Sequence, residues 1–156
     1  MLHSRLQLLH SMPIFDGLEN ETVEHLFKGV RIRNIDRGEI VFREGELDTS
    51  LYVIEHGRVS VHRLWKGNQY KLRELSAGDC FGEMALMDYK PRSATVIAES
   101  DCSLIQIFAA QLGEFYAINP QQYTLIYINL GKEVSRRLRE SDKRLFTCEM
   151  ERMKPP

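Results

Sequence analysis

The hydrophobic period of this chain changes twice, and the middle stretch limits the fold most. From Val30 to Phe108 apolar residues fall in short runs rich in branched and aromatic side chains: Glu39-Ile40-Val41-Phe42, Leu51-Tyr52-Val53-Ile54-Glu55 and Arg58-Val59-Ser60-Val61-His62. Turn formers punctuate them at Gly38, Gly45, His56-Gly57, Gly67-Asn68 and Gly78-Asp79. Leu72 to Leu75 and Ser93 to Ala98 continue the pattern, and Ser103 to Phe108 reads as the last strand. Short strands with regular turns between them predict a sandwich or a barrel.

Helical spacing flanks this region. Residues 3–11 carry Leu6, Leu8 and Leu9 among polar neighbours and predict a short helix, broken by Met12-Pro13-Ile14-Phe15. Asn20 is placed to cap a second helix, with Val23, Leu26 and Phe27 on one face. Ala110 to Ile118 predicts a helix that ends at Asn119-Pro120, because the residue before a proline is pushed out of the α region. A longer helix follows from about Gln121 to Glu149. Along it Val134, Leu138, Ser141 and Leu145 are spaced 4, 3 and 4, a coiled-coil seam of barely two heptads. The expected organisation is one domain over residues 1–156, mainly β with flanking α: N-terminal helices about 3–29, β region about 30–108, C-terminal helices about 109–149. A chain of 156 residues can bury such a core without staples.

Charge and residue usage exclude several classes. With 21 basic and 22 acidic residues there is no overall pull toward nucleic acid. Arg136, Arg137, Arg139, Lys143 and Arg144 do cluster, but acids interleave them, and they read as a solvated helix face. Cys80, Cys102 and Cys148 are an odd count without metal-ligand spacing, which reads as free thiols in a reducing compartment. An iron–sulfur sensor would need clustered cysteines. Metal chemistry on a β-roll needs converging histidines. Here His56 and His62 lie in the β region, while His3, His10 and His25 lie in predicted helices, and no His-x-His pair occurs. No enzyme activity, metal or cofactor is therefore expected. No run approaches the ~18 apolar residues of a membrane span, and the N-terminus lacks a secretory h-region and cleavage site. The expected location is cytoplasmic, with no membrane association.

The segment from Phe81 to Val96 carries the chemistry. It places Glu83 and Arg92 nine positions apart around a short apolar turn, after Gly78-Asp79 and before a β-like run. Alone, such a pair is more often a salt bridge. A cyclic nucleotide needs both groups: a cation for its phosphate charge and an acceptor for its ribose 2′-OH. Phe81, Gly82, Glu83, Ala85 and Leu86, followed by Pro91, Arg92, Ala94, Thr95 and Val96, resemble the phosphate-binding cassette of the cyclic nucleotide-binding domain family. That family includes the catabolite activator proteins and the kinase regulatory subunits. The resemblance covers roughly residues 12–145. Arg37-Gly38-Glu39-Ile40-Val41-Phe42-Arg43-Glu44-Gly45-Glu46, then Leu51 to Ile54 and Gly57-Arg58-Val59, are similar to its strand–turn pattern, and Pro13-Ile14-Phe15 with Leu18 to its N-terminal helices. Leu47 departs from the pattern, where many members carry glycine before the aspartate. That change is expected to alter one turn and leave the ligand site untouched.

The resemblance implies an eight-stranded β-roll or jelly roll (a double-stranded β-helix) with N-terminal helices and a long C-terminal helix. It implies that Glu83 accepts from the ribose 2′-OH and that Arg92 pairs with the exocyclic phosphate oxygens. The backbone N–H groups of Ala85 and Ser93 would bind further phosphate oxygens. Gly82 would let the backbone approach, and Met84 and Ala94 complete the expected ligand-binding set. Leu86 would be a hydrophobic relay to the C-terminal helix, and Pro91 would fix the turn that delivers Arg92. Ser141 and Asp142 fall where the family contacts the base. With Ser93 after the arginine, cyclic AMP is favoured over cyclic GMP. A cyclic dinucleotide-binding relative, or a ligand-free protein-interaction relative, is the alternative.

Asn129 to Glu140 resembles the dimerisation helix of the catabolite activator proteins, which there leads into a helix-turn-helix domain. The sequence stops just after this helix, so the expectation is a stand-alone domain that does not bind nucleic acid by itself. The seam would pair two copies in a homodimer or fold back as a lid over the pocket. The implied function is a regulatory sensor that shifts its C-terminal helix on binding, read by an unidentified effector protein or domain.

Overall fold

The computed structural model describes residues 2–155. Helix α1 (Leu2–Ser11), a 3-10 turn (Pro13–Phe15) and helix α2 (Asn20–Lys28) lead the chain. Asn20 is not the cap of α2. That position belongs to Glu19, which makes no side-chain cap. The Glu19 backbone N–H instead donates to Gln122 Oε1 at 2.9 Å, so a contact from the last helix replaces the local cap.

Eight strands follow: β1 (Arg31–Ile35), β2 (Ile40–Phe42), β3 (Leu51–His56), β4 (Arg58–Trp65), β5 (Asn68–Ser76), β6 (Cys80–Phe81), β7 (Thr95–Ala98) and β8 (Cys102–Ile107). They form two four-stranded sheets ordered β1-β8-β3-β6 and β2-β7-β4-β5, with every pairing antiparallel. The chain changes sheet between β3 and β4 at Gly57 alone. Gly57 has φ 92°, and a Cβ there would lie 2.4 Å from Asp101 O. Only glycine fits this crossing.

Each sheet residue type follows from what its face meets. Along β3, Tyr52 and Ile54 enter the core between the sheets, while Leu51 and Val53 enter a second core under the helices. Alternate side chains point to opposite faces, so a strand covered on both sides reads as an unbroken apolar run. The same holds in β8, where Leu104 points inward and Ile105 and Ile107 point to the helices.

Helix α3 (Glu83–Asp88) sits between β6 and β7, and α4 (Ala109–Ile118) and α5 (Pro120–Arg152) close the chain. Asn119 Oδ1 accepts from Gln122 N at 3.2 Å and starts α5, with Pro120 in its first turn. The buried stripe of α5 runs through Ile126, Asn129, Leu130, Glu133 and Arg137. Asn129 Nδ2 donates to Asp16 O at 2.8 Å and Ile14 O at 3.3 Å, fixing the helix to the N-terminal turn. The predicted seam is not this buried stripe, and its Leu138 and Leu145 are 61% and 62% exposed. Among the described residues no helix is long and apolar enough to cross a membrane.

Candidate ligand-binding site

The chain leaves β6 into α3 through Gly82, whose φ is 84°. A Cβ there would lie 2.7 Å from Arg92 Nη1 and 2.8 Å from Ser50 O. Glycine is required twice, for its left-handed backbone and for the space Arg92 occupies. Phe81, just before it, stacks on Tyr52 with ring centroids 5.2 Å apart and anchors the segment in the inter-sheet core.

Arg92 is 3% exposed. Its Nη1 donates to Gly82 O at 3.0 Å, and its Nη2 donates to Asp48 Oδ2 and Ser50 O, each at 2.8 Å. The guanidinium lies 4.1 Å from the Phe42 ring centroid. Its Nε is buried without a hydrogen-bond partner. Asp48 is held in turn by Ser50, whose N and Oγ donate to Oδ1 at 3.0 and 2.8 Å. Burial works against the Asp48 charge, but Arg92 and Ser50 outweigh it and hold the carboxyl below its usual range. Leu47, next to Asp48, is 83% exposed, and its side chain does not line the pocket.

Glu83, also 3% exposed, is engaged from the far end of the chain. Arg137 Nη1 donates to Glu83 Oε1 at 2.7 Å, Arg137 Nε donates to Glu133 Oε1 at 2.9 Å, and Arg137 Nη2 donates to Cys80 O. Burial opposes the Arg137 charge, but Glu83 and then Glu133 outweigh it, so its pKa is raised. Glu133 is held below its usual range, first by Arg136, whose Nη2 lies 2.6 Å from Oε1, and also by Arg137. Burial pushes the adjacent Cys80 thiol up to about 12. Arg137 is thus not part of a solvated stripe, as its sequence neighbours suggested, but 6% exposed. The signal was present: Ile126, Leu130, Glu133 and Arg137 share the 4, 3, 4 spacing of one helix face.

One pocket gathers most of the residues singled out from sequence. Gly82, Glu83, Met84 and Ala85 line it from α3 and its start, and Arg92, Ser93 and Ala94 from the following loop. Its apolar wall comes from Phe42, Val61, Phe81 and Val96 of the sandwich. Leu86 does not line it. That side chain is fully buried in the helix-facing core with Ile126 and Leu130 of α5. An outer groove adjoins the pocket through Met84, Ser93 and Ala94 and reaches Ser141 and Arg144 on α5. Asp142 lines neither space and is exposed. One residue further along a helix is a turn of about 100°, which carries it off the face that Ser141 shares. Arg73 of β5 lines both spaces, and sequence reasoning passed over it. Among the described residues no group of three or more His, Cys, Asp or Glu side chains is arranged to hold a metal ion.

A family model described as the cyclic nucleotide-binding domain matches residues 32–119, from β1 through α4 and including the whole cassette. The chain belongs to this family. This cyclic nucleotide-binding domain is 34% identical over 134 residues to the cyclic AMP receptor protein of Thermus thermophilus, covering 85% of the chain and 60% of that relative. It is 32% identical to a cyclic nucleotide-gated potassium channel of Rhizobium etli over 74% of the chain and 31% of the channel. The crystal structure of the Thermus thermophilus catabolite activator protein superposes with a TM-score of 0.74 at 32% identity, over 88% of the chain and 63% of that structure. The chain therefore spans less than two thirds of the length of these relatives. The long helix α5 packs against α3, the helix of this cyclic nucleotide-binding domain's cassette.

Proposed function

We propose that the pocket holds one cyclic mononucleotide, with Arg92 on its phosphate and Glu83 on its ribose. The observation that carries this reading is the Arg92 guanidinium. Three bonds to Asp48, Ser50 and Gly82 fix its plane, while its buried Nε has no partner. A donor held in place at a pocket wall suits a phosphate oxygen, and Nε with the remaining Nη1 hydrogen can contribute to it. Arg137 takes Glu83 Oε1, which leaves the second carboxylate oxygen to accept from a 2′-hydroxyl. The N–H groups of Ala85 and Ser93 complete the phosphate site. Cyclic AMP is favoured, in keeping with the Thermus thermophilus receptor's name and with Ser93. Ser141 borders the base.

The signal travels through α3. Glu83 touches both the ligand and Arg137, and Leu86 shares the helix-facing core with Ile126 and Leu130 of α5, so closure of the cassette on its ligand repositions α5. Exposed Leu138, Leu145 and Phe146 along the free part of α5 suit pairing with a second copy. An effector protein or domain reads the helix. The two cores share strands β3 and β8, which supports one folding unit over the whole chain. Free, buried Cys80 and Cys102 suit a cytoplasmic setting.

The test compares cyclic AMP with its 2′-deoxy analogue by calorimetry on the wild type and on Glu83→Gln. The wild type is expected to prefer cyclic AMP at least about tenfold, as for loss of a hydrogen bond to a charged group, and the variant to lose that preference. Equal preference in both proteins overturns the role of Glu83. Binding of only a cyclic dinucleotide overturns the mononucleotide reading.

A further inference from the structure

The tip of the β4–β5 hairpin carries large apolar side chains that the nucleotide site leaves unused. β7 pairs with β4 only from Val59 to His62. Beyond that point Arg63, Leu64 and Trp65 pair with Tyr70, Gln69 and Asn68 as a two-stranded ribbon. The ribbon turns at Lys66-Gly67 with φ 49° and 80°, the two positive values of a tight hairpin turn. Glu44 braces its root: Oε1 accepts from Arg63 Nη2 at 3.0 Å and Oε2 from Leu64 N at 3.1 Å. Leu64, Trp65 and Tyr70 are 59%, 64% and 51% exposed. A cluster of large apolar side chains in water is the informative departure from an ordinary surface and marks a place of contact.

Charge and geometry select the partner. From His56 to Arg73 the sequence has five basic residues, Arg58, Arg63, Lys66, Lys71 and Arg73, and no acid, although the whole chain carries 21 basic and 22 acidic residues. Arg63 pairs with Glu44, and Lys71 with Glu74 and Glu99, all outside this stretch. Exposed pairs of this kind are weak and screened. Lys66, at the turn, has no ion pair among the described residues, and its Nζ lies 5.6 Å from the Trp65 ring centroid. Adjacent strand residues point to opposite faces, so Leu64 and Trp65 leave the ribbon on opposite sides. A protein partner, a second copy or a nucleic acid would cover one side and leave the other wet. A lipid headgroup layer surrounds both. Trp and Tyr favour that layer, and the anionic lipids of a cytoplasmic leaflet attract lysine and arginine. We propose that the β4–β5 hairpin docks on an anionic bilayer surface, with Leu64 and Trp65 entering the headgroup layer and Arg63, Lys66 and Lys71 facing the anionic headgroups. The expected lack of membrane association rested on missing spans, and attachment at the surface needs none. This inference is independent of the nucleotide pocket.

Trp65 is the single tryptophan of the chain, so its fluorescence reads the hairpin directly. The experiment titrates the full chain with vesicles of phosphatidylcholine alone and of phosphatidylcholine with about 30% phosphatidylserine, an anionic lipid. The expected result is a blue shift of Trp65 emission with the anionic vesicles only, matched by co-sedimentation and reversed as salt rises from about 0.1 M to about 0.5 M. Leu64→Ser is expected to weaken vesicle binding about fivefold or more by removing an inserted side chain. Lys66→Asn, which tolerates the left-handed turn, is expected to weaken it about fivefold by removing one charge. Thermal melting checks that each variant is folded, and either one carries the test if the other is not. No shift with anionic vesicles, an equal shift with both kinds, or wild-type binding by both variants overturns the inference. So does a Trp65 response to a single-stranded oligonucleotide, or to rising protein concentration, with none to vesicles. Those two results would assign the hairpin to nucleic acid or to a second copy.

Discussion

Arg137 Nη1 lies 2.7 Å from Glu83 Oε1, joining the last helix to the carboxylate of the cassette across 54 positions of sequence. Both side chains are nearly sealed from water. Glu83 is thus both the proposed ribose acceptor and the attachment point of α5, and any ligand that draws on it acts on the helix.

Removing one member of this pair strands the other as a buried charge. Arg137→Met is expected to destabilise the fold by about 3–5 kcal/mol in urea unfolding, and the double variant Glu83→Gln/Arg137→Met to recover much of that loss. A single-variant cost under about 1 kcal/mol would mean that the pair carries no structural weight.

Gly82→Ala tests how tightly the cassette backbone is built. The substitution asks an L-residue for φ 84° and places a Cβ 2.8 Å from Ser50 O, a backbone atom that cannot swing away. The left-handed conformation alone costs about 1–2 kcal/mol. The expected result is a lower melting temperature together with weaker nucleotide binding, because Arg92 Nη1 occupies the same space. Wild-type affinity in a folded Gly82→Ala protein would contradict the Arg92 geometry.

Acid stability follows from three depressed carboxylates. Asp48, Glu55 and Glu133 all titrate below their usual values, because the attraction of Arg92 and Ser50, of Arg5 and Ser103, and of Arg136 and Arg137 outweighs the effect of burial. The folded state therefore binds fewer protons than the unfolded chain as pH falls through the ordinary carboxylate range near ~4. Their stabilisation is complete above that range and is lost below it, as pH falls through the folded values. Urea midpoints are expected to be level from about pH 6 to 8 and to drop below about pH 4. A midpoint unchanged down to pH 2.5 would contradict these pairings.

Thiol labelling separates the three cysteines. Burial pushes Cys80 up to about 12 and also seals Cys102, while Cys148 is exposed on α5. One thiol is expected to react quickly at pH 8 and none in Cys148→Ser. A second fast thiol, mapped to Cys80, would show that α5 lifts from Cys80 in solution.

The sheets and helices were legible because their signals are local. Branched runs between glycines mark strands such as β3 and β4, and the Asn119-Pro120 step marks where α4 ends. The cassette was legible because its residues are close in sequence and resemble a known motif. What stayed hidden depends on long-range placement. Glu19 takes its partner from Gln122, and Arg137 finds Glu83 across the domain. Arg137 looked like its solvated neighbours because composition counts charges without faces. Asp142 was read with Ser141, although adjacent helical residues point apart. Arg73 offers no motif at all; only the partnerless Nε beside the pocket singles it out.

The central claim is that Arg92 binds the phosphate of a cyclic mononucleotide, and calorimetric titration of ligand-stripped wild type and Arg92→Ala with cyclic AMP and cyclic GMP tests it most directly. The expected result is micromolar or tighter binding by the wild type, about -8 kcal/mol or stronger, and loss of most of that affinity in a folded variant. Equal affinity in the two proteins, or no binding by a folded, stripped wild type, would contradict it.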